Sequence, residues 1–278
     1  MRRRQLARAA HKLKSLIVTG DDFGRSSEVN EAIERCHEAG FLTQASLMVN
    51  EPAAEEAVRI AQRHPALRVG LHLTLCNGRA SSLPSLPSLP SLPSLPSLTD
   101  HLGQFPASPT RAGLRYAFHP SLAGALQREI RAQFERFRAF DLAPTYWDGH
   151  AHLHLHPTVF RLTLPVAVEH GFRAMRLVRE PGPPALLPQI FAWLSRAAVP
   201  ALQLSGITFT DHVFGLRDTG RMTTPIASRI LQNLPDGVSE FYFHPGAEPA
   251  DIDCQALRVI LDERGITLRT SPPPAGGR

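Results

Sequence analysis

Residues 15–49 read SLIVTGDDFGRSSEVNEAIERCHEAGFLTQASLMV, and this stretch decides the fold. The apolar run SLIVT (15–19) predicts a buried strand. A serine at position 26 or 27 can cap the helix that follows, whose apolar side chains recur at helical spacing until a glycine stops them. The run QASLMV (44–49) then predicts a second strand, so the stretch indicates one strand–helix–strand unit.

The same alternation continues along the chain. Further strand candidates are RVGLHLTL (68–75), TYWD (145–148), FRAMRLV (172–178), GITFT (206–210), SEFYF (239–243) and ITLR (266–269). Helical patterns lie near residues 53–63 and 122–140 and separate several of these runs. Repeated alternation of this kind predicts a parallel sheet covered by helices.

A chain of 278 residues can close such a sheet into a barrel. We therefore expect a single α/β domain over residues 15–270, an imperfect parallel (β/α) barrel, with an open doubly wound sheet as the alternative. In both folds the active site lies at the carboxyl ends of the strands.

Three segments stand outside this pattern. Residues 1–14 form a basic extension, MRRRQLARAAHKLK, for which weak attraction to acidic lipid head groups is the alternative to a purely soluble role. Residues 82–98 repeat the tripeptide SLP, and proline at every third position predicts an extended, Pro-rich surface loop inserted in the barrel. A partner-binding segment is the alternative for this loop. Residues 271–278, SPPPAGGR, have the composition of a disordered tail.

Composition excludes several functional classes. The formal net charge is +5, yet no basic helix, zinc-finger spacing or basic-aromatic pattern predicts nucleic-acid binding. The cysteines Cys36, Cys76 and Cys254 are odd in number and widely spaced, which predicts neither a disulfide framework nor a thiolate metal site. A reducing compartment is therefore expected. The predicted location is the cytoplasm, with peripheral contact at the inner membrane face as the alternative, and the oligomeric state is left open.

Carboxylates and histidines follow the predicted strands. Asp21 and Asp22 come directly after the first strand, where two adjacent carboxylates repel each other unless a cation or a proton offsets the repulsion. His72 lies near the end of an apolar run, where a core histidine is the alternative. His244 closes another strand and has the ordinary pKa of a general acid or base.

The densest group is the run DGHAHLHLHP at residues 148–157, with four histidines at alternate positions. Neutral imidazole is a common metal ligand, so the run favours a metal site over a solvated loop. Pro157 and the helical pattern after it predict a turn here, and one ion cannot take all four rings. The remaining histidines could contact substrate or orient the ligands.

At these residues the sequence resembles the YdjC/ChbG family of carbohydrate deacetylases. The matching motifs are DDFG (21–24), GLHL (70–73), DGHAHLH (148–154) and HPG (244–246), in the family's order. The resemblance covers roughly residues 15–270. It implies an imperfect barrel of parallel strands.

The resemblance also implies a site. The metal ligands would be Asp22, His72 and His150, with Asp21 as general base and His244 as general acid. The extra histidines leave His152 or His154 open as a ligand in place of His150, with substrate contact as their other role. The proline repeat follows GLHL and therefore puts substrate access in question. Arg176 and Arg179, near the end of the FRAMRLV run, could contact the catalytic carboxylate or the sugar, or lie on the surface.

Further stretches resemble the hopanoid-associated (HpnK-like) branch of that family. They are VNEAIERCHEAGFLTQASLMV (29–49), HLHLHPT (152–158), RLVREP (176–181), DHVFG (211–215) and LPDGVSEFYFHP (234–245). The resemblance implies a hydrolase with one divalent ion, Mg²⁺ or Zn²⁺, that removes the N-acetyl group from an N-acetylglucosaminyl hopanoid. Chito-oligosaccharide deacetylation, hydrolysis of another amide or a phosphoester, and a non-catalytic histidine-rich metal-binding protein are the alternatives. The substrate is accordingly an amino sugar or a glycolipid.

Overall fold

The structure is a computed structural model that describes residues 14–81, 97–248 and 252–273. The expected basic extension, most of the proline repeat and the end of the tail lie outside the described residues. The described chain forms one parallel sheet flanked by helices, as the alternation predicts. Its strands are β1 (Lys14–Phe23), β2 (Gln44–Leu47), β3 (Arg68–Leu73), β4 (Tyr146–Gly149), β5 (Ala174–Met175), β6 (His212–Phe214), β7 (Gly237–Phe243) and β8 (Thr267–Leu268).

Helices connect these strands on the outside of the sheet. They are α1 (Ser27–Glu38), α2 (Ala54–Arg63), α3 (Pro109–Phe118), α4 (Ala123–Ala139), α5 (Pro157–Glu169), α6 (Leu186–Leu204), α7 (Thr224–Gln232) and α8 (Cys254–Glu263), with short 3₁₀ turns at Pro120–Leu122 and His150–Leu155. Ser26 caps α1 by accepting a hydrogen bond from Val29 N, as the sequence indicates. Gly40 follows that helix with φ 71°, a left-handed conformation that glycine adopts without a Cβ clash.

The sheet curls into an imperfect barrel. Its strand order is β5-β4-β3-β2-β1-β7-β6, and β8 pairs with the start of β1. At the seam between the two outer strands, Ala174 of β5 forms an isolated parallel bridge with Thr208, in the segment that precedes β6. Because all pairs are parallel, the carboxyl ends of the strands gather at one end of the barrel. β1 lies centrally and is buried along almost its whole length.

The strand predictions that differ most from the structure lie at the seam of this barrel, where its two outer strands, β5 and β6, come near each other. GITFT (206–210) is wrong as a strand, since only Thr208 pairs, and the strand lies instead at His212–Phe214. FRAMRLV (172–178) contributes only the two residues of β5. A segment at the seam has a fully paired neighbouring strand on one side only. An apolar run there therefore has too few backbone hydrogen-bond partners to form a long strand.

A disulfide corrects the expectation for the cysteines. Cys36 on α1 is bonded to Cys254 on α8, with their Cα atoms 5.4 Å apart, although 218 residues separate them. Cys76 is a buried free thiol. Sequence spacing cannot reveal such a pair, because the fold alone brings the two helices together. The inference of a reducing compartment therefore loses its basis. Among the helices in the described ranges, none is long and apolar enough to cross a bilayer.

The disulfide predicts a thiol count. Unfolded, non-reduced protein should offer one reactive thiol per chain, and reduced protein should offer three. Replacing Cys36 and Cys254 by serine should lower the free energy of unfolding by about 2–5 kcal/mol, because the cross-link restricts the unfolded chain. Thiol titration in denaturant and urea unfolding measure both quantities. Three reactive thiols before reduction would contradict the pairing.

Candidate active site

Side chains from four strand ends meet at the carboxyl end of the barrel. Asp21 and Asp22 lie within the last residues of β1, rather than just past it as expected, and His72 lies in β3. His150 opens the 3₁₀ turn directly after β4. His244 follows β7, and the pairing of Gly20 with Phe243 places it beside the aspartates.

Asp22, His72 and His150 form a compact group of metal-type donors. One oxygen or nitrogen from each lies within 4.8 Å of the others. Asp22 Oδ1 is 2.9 Å from His150 Nδ1 and 3.3 Å from His72 Nε2. Burial opposes ionisation, but hydrogen bonds and charges from His150 and His72 lower the pKa of Asp22 well below its usual range. The carboxylate is therefore ionised and aimed at both rings.

Backbone geometry directs the Asp22 side chain into this group. Its φ of 66° is left-handed, which is uncommon for a residue other than glycine. The register between β1 and β2 also shifts between Gly20 and Phe23. Bulges of this kind re-aim a side chain, and strained backbone concentrates at functional sites.

Asp148 orients His72. Its Oδ1 lies 2.7 Å from His72 Nδ1, and its Oδ2 accepts a hydrogen bond from Ser46 Oγ. With Nδ1 held by Asp148, the other ring nitrogen of His72 faces Asp22, the arrangement that proteins use to position metal-binding histidines. Burial opposes protonation, but the Asp148 carboxylate outweighs it and raises the pKa of His72 to about 10. A cation and this proton would compete for Nε2.

Arg176 lies at the centre of the ion pairs of the site. Its guanidinium is fully buried and donates to both oxygens of Asp21, over 2.7 and 2.8 Å. It also lies 2.9 Å from Asp148 Oδ2 and 2.8 Å from Glu240 Oε1, and it stacks 4.5 Å from the centre of the Tyr242 ring. Burial opposes the charge, but the surrounding carboxylates hold the pKa of Arg176 well above its usual value. Arg176 is therefore a contact of the proposed base and not a surface residue.

Arg179 has a different place. It donates to the backbone oxygen of Thr210 over 2.6 Å and lies over the Phe209 ring. These contacts are with the segment that crosses the barrel seam. The structure therefore separates two arginines that the sequence left equivalent.

The histidine run folds as a turn, as Pro157 indicates. Ala151 and His152 adopt left-handed φ angles of 51° and 58°, so successive rings point in different directions. His152 Nε2 lies 2.8 Å from the Tyr242 hydroxyl, and His154 Nε2 lies 3.0 Å from the Arg176 backbone oxygen. Burial lowers the pKa of both, that of His154 to about 4, so both are neutral. Neither is in the donor group, which contains His150.

His244 forms a pair with Glu248. Its Nδ1 lies 3.4 Å from Glu248 Oε1, and its backbone N–H donates to the same oxygen. Burial opposes protonation, but Glu248, followed by the charges of Asp22 and Asp21, raises the pKa of His244. Gly246 packs against α1 so tightly that a Cβ there would lie 2.9 Å from the Glu28 backbone oxygen. The histidine is thus held in one orientation.

Several of these partners are absent from the motif-based site. They are Asp148 as the His72 anchor, Glu240, Tyr242 and Glu248. Glu240 interrupts an apolar strand run, and a charge at a buried strand position is the signal that could have identified it. Glu248 carries no such signal, because it lies in a turn.

The charge of the site fits a cation. Carboxylates outnumber guanidinium groups in its immediate surroundings: Asp21, Asp22, Asp148 and Glu240 against Arg176 and Arg25. Burial raises the pKa of Glu240, and the protonated His72 ring adds a positive charge that a bound metal ion would replace. A carboxylate with two imidazoles is a common donor set for a divalent metal ion.

Known proteins are similar to this chain in sequence. The family model described as YdjC-like protein matches residues 15–267. A carbohydrate deacetylase of Geobacillus stearothermophilus is 40% identical over 170 residues, which cover 58% of this chain and 62% of that protein. A carbohydrate deacetylase of Brevibacillus brevis is 34% identical over 236 residues, 83% of this chain and 80% of that protein. The chain thus aligns with less than two thirds of the first relative and with most of the second.

A solved structure shares the fold. A protein of Enterococcus faecalis superposes with a TM-score of 0.63 at 20% identity, covering 92% of this chain and 97% of that chain. The similarity supports the curled parallel sheet and its helices as one α/β domain.

The buried ion pairs of Arg176 predict that its replacement strongly lowers the stability of the fold. Arg176→Met should lower the free energy of unfolding by about 3–5 kcal/mol, because it leaves several buried carboxylates without their cation. Arg173→Met is the matched control, since Arg173 lies three residues away and is exposed. Urea unfolding of both variants measures the difference. Equal stability of the two variants would show that the network contributes nothing net.

Proposed function

Because this chain belongs to the YdjC-like family, we propose that it is a metal-dependent carbohydrate deacetylase, which hydrolyses the N-acetyl group of an N-acetylglucosamine-type amino sugar. The observation that carries the proposal is the meeting of Asp22, His72 and His150 within 4.8 Å, beside Asp21. Two relatives described as carbohydrate deacetylases support the reaction class.

One divalent ion would be held by Asp22, His72 and His150. When bound, such an ion polarises a carbonyl oxygen and lowers the pKa of water. Two imidazoles and one carboxylate suit Zn²⁺, whereas Mg²⁺ usually takes more oxygen ligands. The anchoring of His72 by Asp148 favours tight binding, because the ring needs little reorganisation.

Asp21 acts as the general base in this proposal. Arg176 grips both of its oxygens and so fixes the plane of the carboxylate. Each oxygen keeps a second lone pair that can accept the proton of the attacking water. The water oxygen adds to the acetyl carbon, and the carbonyl carbon becomes tetrahedral.

His244 acts as the general acid. The bond from Nδ1 to Glu248 leaves Nε2 to donate its proton to the sugar nitrogen as the carbon–nitrogen bond breaks. Protonation is required because an amide anion is a poor leaving group. The products are acetate and a primary amine on the sugar.

Within this reaction class we propose an N-acetylglucosaminyl hopanoid as the substrate, with chito-oligosaccharide as the second candidate. Resemblance of the stretches around RLVREP and DHVFG to the hopanoid-associated branch supports the glycolipid. Both candidate substrates would present the same N-acetyl sugar to the site. Assays with each purified substrate therefore distinguish them.

The proposal predicts a separation of metal binding from turnover. Asp21→Asn should retain bound metal but lose at least about 100-fold in acetate release, because it removes the base. Asp22→Asn and His72→Ala should lose both metal and acetate release. Metal content by elemental analysis, and mass spectrometry of an N-acetylglucosaminyl hopanoid and of a chito-oligosaccharide, measure these outcomes.

Asp218→Asn is a control for loss of a carboxylate, because Asp218 pairs with Arg221 outside the donor group. Near-normal acetate release by Asp21→Asn would remove the proposed base. Phosphate release from a phosphoester without acetate release would indicate another hydrolase. Metal binding without any turnover would indicate a non-catalytic metal-binding protein.

The His244–Glu248 pair predicts the alkaline limb of the pH profile. A general acid must be protonated, and a raised pKa keeps His244 protonated above its ordinary value of 6.5. Glu248→Gln keeps an acceptor but removes the charge, so the pKa of His244 should fall. The alkaline loss of activity should then begin at a lower pH in the variant than in the unaltered protein. The change should be small at low pH, where both proteins are protonated. Glu31→Gln, an exposed carboxylate on α1, is the control, and an unmoved limb would contradict the pairing.

A further inference from the structure

Helix α6 (Leu186–Leu204) has apolar residues on its inner face and along much of its outer face, where Gln189, Arg196 and Gln203 are also exposed. Arg196 is the single charged residue in its sequence. The inner face packs against the barrel through Ala198 and Leu202, which are buried, and Phe191 lies 5.2 Å from the His152 ring.

The outer face of α6 is a continuous apolar stripe. Its members recur at intervals of four and three residues: Leu186, Ile190, Trp193, Ala197, Pro200 and Leu204. Leu186 is 76% exposed, Trp193 61% and Leu204 92%. The helix is about 28 Å long, so the stripe follows the height of the barrel wall. Contiguous apolar surface of this extent marks an interaction site more often than a solvated surface.

The charge of the chain is distributed so as to favour an anionic partner. Residues 1–13 contain five of the 30 lysines and arginines and none of the 25 acidic residues. The rest of the chain therefore carries 25 of each sign, and the whole formal charge of +5 resides in this segment. It precedes Lys14, the first residue of β1, which lies at the amino ends of the strands. Leu204 lies at the same end, because α6 leads back towards the start of β6.

We propose that the outer stripe of α6 binds the surface of a bilayer that contains anionic phospholipid. The stripe enters the boundary between head groups and acyl chains, and the formal net charge of +5 attracts the chain to the acidic head groups. Stable attachment usually needs two such signals, one apolar and one basic, and the chain supplies both. A tryptophan in the middle of the stripe fits this depth.

This orientation lays the barrel on its side. The Leu186 end of α6 lies at the carboxyl ends of the strands, where the candidate active site is, and the Leu204 end lies at the amino ends. A second copy of the chain would match the stripe but not the basic segment, because the remaining sequence has no excess of acidic charge. The inference does not rest on the proposed reaction.

The two tryptophans give a direct test. Trp147 is fully buried in the barrel and Trp193 is exposed, so a change in emission on binding reports the stripe. Vesicles of phosphatidylcholine with phosphatidylglycerol should shift the emission to the blue and co-sediment with the full-length protein. Phosphatidylcholine vesicles, or added salt, should weaken binding severalfold, because they remove the electrostatic part. Absence of binding to the anionic vesicles would overturn the proposal.

Matched variants assign the surface. Ile190→Glu and Leu204→Glu should each reduce partitioning at least about tenfold, since each places a charge in the apolar boundary. Val259→Glu is the control, because Val259 is 54% exposed on α8. Equal loss in the control would overturn the assignment. So would a concentration-dependent dimer, seen by light scattering, that Ile190→Glu dissociates while vesicle binding is unchanged, because a second copy would then cover the stripe.

Discussion

The candidate site depends on one buried cation. The Arg176 guanidinium pairs with carboxylates from three separate parts of the sheet, Asp21 on β1, Asp148 on β4 and Glu240 on β7. Without it these groups could not be buried together, because each would carry the desolvation cost of an unpaired charge. The same pairing also fixes the carboxylates that contact the metal-type donors. Asp148 can hold His72, and Asp21 keeps a fixed orientation beside Asp22.

The parallel sheet turns this local pairing into a site. Parallel strands end together, so short side chains from distant parts of the sequence converge without long loops. The β1 bulge and the left-handed Asp22 aim one carboxylate at two imidazoles, while its neighbour Asp21 turns to Arg176. The loop that carries His244 is less regular, and it is held by Glu248, by the packing of Gly246 on α1 and by the nearby disulfide of Cys254. Strands and the turn after β4 position the metal-type donors, and the anchored loop positions His244.

The fold was predictable where the sequence has long, buried apolar runs. β3 and β7 and helices α1 and α4 lie close to their predicted bounds, because burial imposes a periodicity that side chains display directly. β1 begins close to its predicted start but continues to Phe23, past the predicted end at Thr19. The barrel seam was not predictable in the same way. GITFT has the composition of a strand, yet it lacks a neighbour on one side, and β6 forms a few residues later. The Cys36–Cys254 disulfide was also invisible, since it joins helices 218 residues apart in sequence.

Taken alone, the sequence determined which chemical groups are present and that they follow strands, and hence that Asp21, Asp22, His72, His150 and His244 would gather at one end of a parallel fold. It could not determine which histidine of the run faces Asp22, which of Arg176 and Arg179 meets Asp21, or that Asp148 anchors His72. Those outcomes depend on the direction of individual side chains, which follows from dihedral angles and strand register. His150 and Asp22 are 128 residues apart, and only packing of the complete barrel brings their atoms to 2.9 Å. Periodicity and spacing are local properties, whereas that distance is set by every strand between them.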